Sequence, residues 1–167
     1  MTKDSTIISS GDDNKIMALN YKKRLCMATG QVDPKDRDPR EAESSLLTGL
    51  SPPERSRAVD INSNNLHVAV AHNDGKVTIR KSPLELNEIL FELSDPEMGV
   101  SALSYSPDGR KLAAGSHKGN VFVYCVDSSY SLAGVCRAHT TFICSIDWSV
   151  DSAYLRTVCD FNYLVFF

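Results

Sequence analysis

The sequence predicts an all-β chain, an open arc of a β-propeller with about 3.4 four-stranded blades. Three observations predict it. The chain repeats itself at a spacing of 43 or 44 residues. Each copy resolves into four short apolar segments with turn residues between them. The first and last copies are incomplete, which leaves too few blades to close a ring. A sandwich of two sheets also has many short strands, but it predicts no self-similarity at a fixed period.

The copies follow one another along the chain. Residues 1–30 read as a partial first blade, because Gly11-Asp-Asp-Asn-Lys-Ile16 matches His72-Asn-Asp-Gly-Lys-Val77 at a spacing of 61. The excess in that spacing falls in residues 31–56. This stretch holds four of the seven prolines (Pro34, Pro39, Pro52 and Pro53) and ten charges among 26 residues. It reads as an inserted surface loop. Residues 57–97 form the second blade, 98–140 the third and 141–167 a partial fourth. The third and fourth align without a gap from Val100 over Ile143 to Tyr124 over Phe167.

Within a copy the first strand alternates, as in Val100 to Tyr105. A type I turn follows, clearest in Ser106-Pro107-Asp108-Gly109. The second strand is rich in small residues, as in Val68 to Ala71 and Leu112 to Gly115. A tight turn comes next, with Gly75 or Gly119 where a left-handed residue is wanted. The third strand is the most apolar. Val121 and Val123 point one way and Phe122 and Tyr124 the other, as a sheet covered on both faces requires. The fourth strand is Ile89 to Leu93 or Leu132 to Cys136. The chain thus opens on the second strand of one blade and stops in the third strand of another. It reads as a piece of a larger propeller, completed by the remainder of that propeller or by a second copy.

Charge narrows the function classes. Lys and Arg number 18 against 21 Asp and Glu, a net charge of −3. That is no electrostatic footprint for nucleic acid or an anionic membrane. No apolar run approaches the 18 residues of a membrane span. The start, Met1-Thr2-Lys3-Asp4-Ser5, lacks the grammar of a secretion signal. The five cysteines are odd in number and dispersed, which argues against a disulfide framework. Cys136, His139 and Cys144 have a spacing that zinc could use, but no second ligand cluster accompanies them. Asp12-Asp13 and Asn73-Asp74 stand at tight turns, where such residues form the turn itself. Neither a metal nor any other cofactor is expected, and no motif for phosphate or nucleophile chemistry occurs.

Function on such a scaffold belongs to its loops. The turns between second and third strands carry Asp12, Asp13, Asn73, Asp74, His117, Lys118, Asp160 and Phe161. The connections between blades carry Asp95, Glu97, Thr140 and Thr141. Phe161, set between polar neighbours, is the most interface-like of these. Asp147 reads as a structural acceptor in the first strand of its blade, and Trp148 as core.

His139-Thr-Thr-Phe-Ile-Cys-Ser-Ile-Asp-Trp-Ser-Val-Asp-Ser-Ala-Tyr-Leu-Arg156 resembles a stretch of the echinoderm microtubule-associated protein-like family, within its tandem WD40 propellers. Tyr105-Ser-Pro-Asp-Gly-Arg-Lys-Leu-Ala-Ala-Gly-Ser116 is similar to the common WD40 motif. The Trp-Asp dipeptide of those repeats is replaced here by Leu19-Asn20, Arg80-Lys81 and Tyr124-Cys125, and the Gly-His dipeptide by Ala138-His139. The resemblance implies a partial WD40-like propeller, with His139 bracing its blade. It implies a non-catalytic interaction scaffold in the cytoplasm, with protein partners that include tubulin or microtubules and a cytoskeletal or ciliary setting.

Overall fold

The structure is a computed structural model. It describes residues 6–10, 15–20, 25–31, 56–64, 66–72, 74–81, 85–94, 99–137, 139–161 and 163–167. Of the inserted loop, all but Gln31 and Ser56 lies outside the described residues, as do Asp12, Asp13, Asn73, Asp95 and Glu97.

The described residues form four antiparallel sheets, each built from consecutive strands. Blade one holds β1 (Thr6–Ser10), β2 (Lys15–Asn20) and β3 (Leu25–Gln31). Blade two holds β4 (Ser56–Ile61), β5 (His67–His72), β6 (Lys76–Lys81) and β7 (Ile89–Ser94). Blade three holds β8 (Val100–Tyr105), β9 (Lys111–Ser116), β10 (Asn120–Cys125) and β11 (Ser131–Arg137). Blade four holds β12 (Ile143–Trp148), β13 (Leu155–Cys159) and β14 (Leu164–Phe166). Four sheets of antiparallel strands, none closed on itself, are a partial propeller.

The repeat extends to its irregularities. The first strand of blades two, three and four is bulged just after its start, at Ser56/Ala58, Val100/Ala102 and Ile143/Ser145. The strands at the third repeat position in blades one, two and three slip register at Ala18/Leu19, Ile79/Arg80 and Val123/Tyr124. A bulge sharpens the local twist, so blades two and three twist at the same two places.

Burial is organised by seam, not by sheet. Ile16 and Ala18 of blade one pack with Val68, Val70 and Leu86 of blade two. Ala69, Ala71, Val77 and Ile79 on the other face of blade two pack with Leu112, Ala114, Phe122 and Tyr124 of blade three. Ala113 and Val121 of blade three pack with Ile143, Ile146 and Leu155 of blade four. The two faces of β10 therefore serve two different cores, which is why neither face is polar.

Small residues in the second strand set how close the blades come. A Cβ on Gly115 would lie 2.7 Å from the Cβ and the Cγ2 of Ile143. The isoleucine fills the space that a side chain at 115 would need.

Candidate functional site

The seam between blades two and three is bridged by side-chain hydrogen bonds from Asp60, Asn62 and His67. Asp60 on β4 accepts the backbone N–H of Tyr105 at 2.6 Å and that of Ile61 at 2.9 Å. Burial pushes the Asp60 carboxyl up, against the pull of those two N–H groups. Asn62 donates its side-chain amide to the carbonyl of Gly109 at 2.9 Å. Gly109 has φ +74, and a side chain there would overlap the Asn62 amide.

Tyr130 closes the outer part of this seam. It follows a single 3-10 turn (Val126–Ser128). Ser129 and Tyr130 both take left-handed backbone, with φ of +52 and +59. Non-glycine residues pay about 1–2 kcal/mol each for that conformation. The turn carries the Tyr130 ring into the seam, where it is 3% exposed. Its hydroxyl lies 2.8 Å from Nδ1 of His67 and 2.9 Å from the hydroxyl of Tyr105. Burial pushes the Tyr130 phenol up to about 12 and raises that of Tyr105 as well. It lowers the imidazole of His67.

The seam between blades three and four opens into a groove. Ser101, His117, Phe142, Ile143 and Cys144 line a cavity of about 430 Å³, within the size range of binding pockets. Three features shape it. The bulge at the start of β12 leaves Cys144 exposed. The hydroxyl of Ser101 donates to the carbonyl of Ile143 at 2.6 Å, which ties the inner strands together beneath the groove. The rings of His117 and Phe142 stand 6.1 Å apart, centroid to centroid, and Phe142 is 38% exposed. Asp160 donates its backbone N–H to the carbonyl of Phe142 at 3.2 Å, so the turn between β13 and β14 supports the same wall.

Desolvation, with Asp160 and Cys159 nearby, raises the Cys144 thiol above its ordinary range. A raised thiol is a poorer nucleophile at neutral pH. Among the described residues, no group of three His, Cys, Asp or Glu side chains is placed to hold a metal ion. The walls offer an aromatic ring, an imidazole and a thiol, which suit contact with a partner's apolar side chains.

The structure distributes the sequence-chosen residues unevenly. His117 lines the groove, and Lys118 and Thr140 are exposed beside it in the chain. Thr141 is half-buried, with an Oγ1 that has no hydrogen-bond partner. Phe161 is 65% exposed but does not line the groove. Asp74 belongs to blade two, where its carboxylate accepts the backbone N–H of Lys76 at 3.0 Å. Sequence reasoning does not single out Ser101 or Phe142, and it weighs Cys144 only as a zinc ligand. Phe142 sits beside Thr140 and Thr141 in the same connection, and that adjacency was the available signal.

The structural residues are placed as follows. His139 is buried, with Nε2 2.8 Å from the hydroxyl of Thr157. Desolvation lowers its imidazole. Trp148 is half-buried and donates its indole N–H to the carbonyl of Ser104 at 3.0 Å, across the seam. Lys111 Nζ lies 5.8 Å from the centre of its ring. Asp147 is exposed and pairs with Arg156 at 2.7 Å. Gly75 and Gly119 take φ of +89 and +82.

Residues 87–125 match the family model described as WD domain, G-beta repeat. The repeat is of the WD40 type. The matched segment runs from the strand β7 of blade two through β10 of blade three, so the sequence repeat is staggered against the structural blade. The chain is 39% identical over 163 residues to the ciliary WD repeat-containing protein ctxp80 of Euplotoides octocarinatus. That match covers 97% of this chain and 23% of the relative. It is 28% identical over 147 residues to the human echinoderm microtubule-associated protein-like 3, covering 86% of this chain and 15% of the relative. A rat relative, echinoderm microtubule-associated protein-like 1, is 36% identical over 74 residues, 42% of this chain and 9% of the relative. The chain thus spans less than a quarter of the length of these relatives.

Proposed function

We propose that the chain is a non-catalytic scaffold for protein partners, associated with microtubules or the cilium and located in the cytoplasm or on the cytoskeleton. The observation that carries this reading is the groove at the seam of blades three and four. Its walls carry an aromatic ring, an imidazole and a thiol, and the thiol is raised above its ordinary range. The names of the relatives, one ciliary and the others microtubule-associated, support the cytoskeletal part. Among the described residues no helix is long and apolar enough to cross a membrane. The exposed residues Asp74, His117, Lys118, Thr140, Asp160 and Phe161, with Thr141 beside them, form the wider contact surface in this reading.

Co-sedimentation with assembled microtubules tests it. The chain is expected in the pellet, and Phe142→Ala should reduce the pelleted fraction by about tenfold if the ring anchors the contact. Phe161→Ala measures the contribution of the neighbouring turn. A chain that stays in the supernatant at every tubulin concentration removes the microtubule reading and leaves the scaffold to be assigned to another partner.

A further inference from the structure

The two phenols and the imidazole in the seam between blades two and three form a chain that can run in only one direction. Tyr105 is 6% exposed, and among the described residues its hydroxyl has one partner, the hydroxyl of Tyr130. The Tyr130 hydroxyl has two, Tyr105 and Nδ1 of His67. Each phenol brings one proton. Both protons find an acceptor only if Tyr105 donates to Tyr130 and Tyr130 donates to Nδ1. In this arrangement His67 is neutral, with its own proton on Nε2. A further proton on the ring must go to Nδ1, where it opposes the Tyr130 proton. Reversing the chain, so that Nδ1 donates to Tyr130 and Tyr130 to Tyr105, leaves the buried Tyr105 proton without an acceptor. The closed seam therefore disfavours the imidazolium.

The segment that carries Tyr130 can move by itself. Val126 is anchored by its N–H on the carbonyl of Arg110 at 2.9 Å, and β11 begins at Ser131, paired with Cys125. Only Asp127 to Tyr130 lies between those anchors. Ser129 and Tyr130 hold left-handed backbone, a strain that contacts within the seam must offset. The inner bridges of the joint, Asp60 on the Tyr105 N–H and Asn62 on the Gly109 carbonyl, involve none of these four residues.

The charged groups around His67 are engaged elsewhere. Asp60 on β4 stands on the same face, opposite Ala69, and accepts the N–H groups of Ile61 and Tyr105. Lys81 on β6 is the cross-strand neighbour of His67 and is held by Glu85 at 3.0 Å and Glu88 at 3.1 Å. Asp127 pairs with Arg110 at 3.9 Å. β7 brings Phe91, which packs on the Tyr130 ring.

We propose that Tyr130 is a latch released by acid: protonation of His67 drives the Tyr130 ring out of the seam and opens the outer half of the joint between blades two and three. The direction follows from linkage, because the closed seam binds the proton more weakly than the open one. Desolvation lowers His67 in the closed seam below its ordinary value of 6.5, which acts in the same sense.

A fluorine on the Phe91 ring reads the latch, since that ring lies 5.3 Å from Tyr130, centroid to centroid. The 167-residue chain with 4-fluorophenylalanine at this position is followed by fluorine NMR from about pH 8 to about pH 5. The resonance should move between two limits with a midpoint below 6.5. The open-to-closed ratio should change by no more than about tenfold per pH unit, as one proton requires. His67→Gln offers an amide oxygen to the Tyr130 hydroxyl without titrating, and it should hold the resonance at its neutral limit. Tyr130→Phe keeps His67 but removes the latch, and it should also abolish the transition. His139→Gln should leave the transition in place. Circular dichroism at neutral pH checks the fold of each variant, and Trp148 fluorescence follows blade four throughout. A resonance that does not titrate overturns the proposal, and so does a transition that survives His67→Gln. A transition that survives Tyr130→Phe overturns it as well, because the imidazolium charge then acts on the fluorine directly. Trp148 emission that changes at the same midpoint replaces the latch with unfolding of the whole chain.

Discussion

The seams on either side of blade three join the same kinds of sheet by different chemistry. Between blades two and three the bridging groups are polar side chains buried in the joint: Asp60 on the Tyr105 N–H, Asn62 on Gly109, and the hydroxyl–imidazole chain of Tyr105, Tyr130 and His67. Between blades three and four the bridges are neutral groups, Trp148 on the Ser104 carbonyl, Ser101 on the Ile143 carbonyl and the Asp108 N–H on the Ser152 hydroxyl, beside a close apolar fit. One joint is fastened by titratable groups and the other by shape. The propeller period fixes where neighbouring blades touch, but not what touches there. The first joint should therefore respond to pH and to loss of single polar atoms, the second to changes of volume.

The largest effect is expected at the shape-fitted joint. Gly115→Leu puts a branched side chain where the Ile143 side chain already lies. Overpacking of this kind costs about 3 kcal/mol. Blade four should detach or shift, with a lower midpoint in urea unfolding and loss of the groove that Ile143 helps to line. Unchanged stability would mean that the joint is looser than the geometry states.

The polar joint should yield to a smaller change. Tyr130→Phe removes one oxygen, yet it leaves both His67 Nδ1 and the buried Tyr105 hydroxyl without their partner. Unsatisfied buried groups cost about 1–3 kcal/mol, and the left-handed backbone of Ser129 and Tyr130 would no longer be repaid by that bond. Urea unfolding should show a loss of about 2 kcal/mol. A loss near zero would assign the work of this joint to ring packing against Phe91, whose centroid lies 5.3 Å away.

These two positions also show what could be read in the sequence and what could not. The strands, their order within each blade and the two-sided burial of Val121 to Tyr124 follow from periodicity and turn residues, which are local. Gly115 was legible as one of a run of small residues. Its reason was not, because Ile143 lies far along the chain. Tyr130 gave no signal: two consecutive non-glycine residues in left-handed backbone run against every turn preference. The groove shares this blindness. His117 was reachable as a turn residue, whereas Cys144 is exposed by a bulge that alternation does not forecast. From sequence Asp147 reads as a structural acceptor. Its counterpart Asp60 bridges two blades, and Asp147 holds Arg156 on an open face.

Acid sharpens the contrast next. Desolvation lowers His67 in the folded chain below its ordinary value of 6.5. The unfolded chain therefore takes up the proton first as pH falls. Stability from neutral His67 is present above 6.5 and is lost as pH drops through the folded value. Asp60 works in the other direction: its raised value favours the fold below the ordinary value of 3.8, and that benefit is lost as pH rises through the folded value. His139, bonded to Thr157 of blade four, is lowered too. Unfolding midpoints measured between pH 7 and 5 should fall, and His67→Gln should flatten part of that fall while His139→Gln flattens the rest. A profile unaffected by His67→Gln would remove the pH sensitivity assigned to the polar joint.

The smallest effect separates two meanings of one repeat position. Gly109 and Ser152 occupy the same place in successive turns, both with left-handed backbone, at φ +74 and +59. Gly109 is enclosed by Asn62, whereas the Ser152 hydroxyl accepts the backbone N–H of Asp108 at 3.1 Å across the next seam. Ser152→Gly relieves about 1 kcal/mol of backbone strain and gives up one hydrogen bond worth about as much. The net change should be under about 0.5 kcal/mol. Ser152→Ala keeps the strain and loses the bond, so it should cost about 1 kcal/mol. An alanine variant as stable as the wild type would show that the hydroxyl contributes nothing across the seam. The alanine variant falling below the wild type assigns the serine its role as a stitch between blades, in the place where the preceding seam uses Asn62, and the gap between alanine and glycine reads the backbone strain.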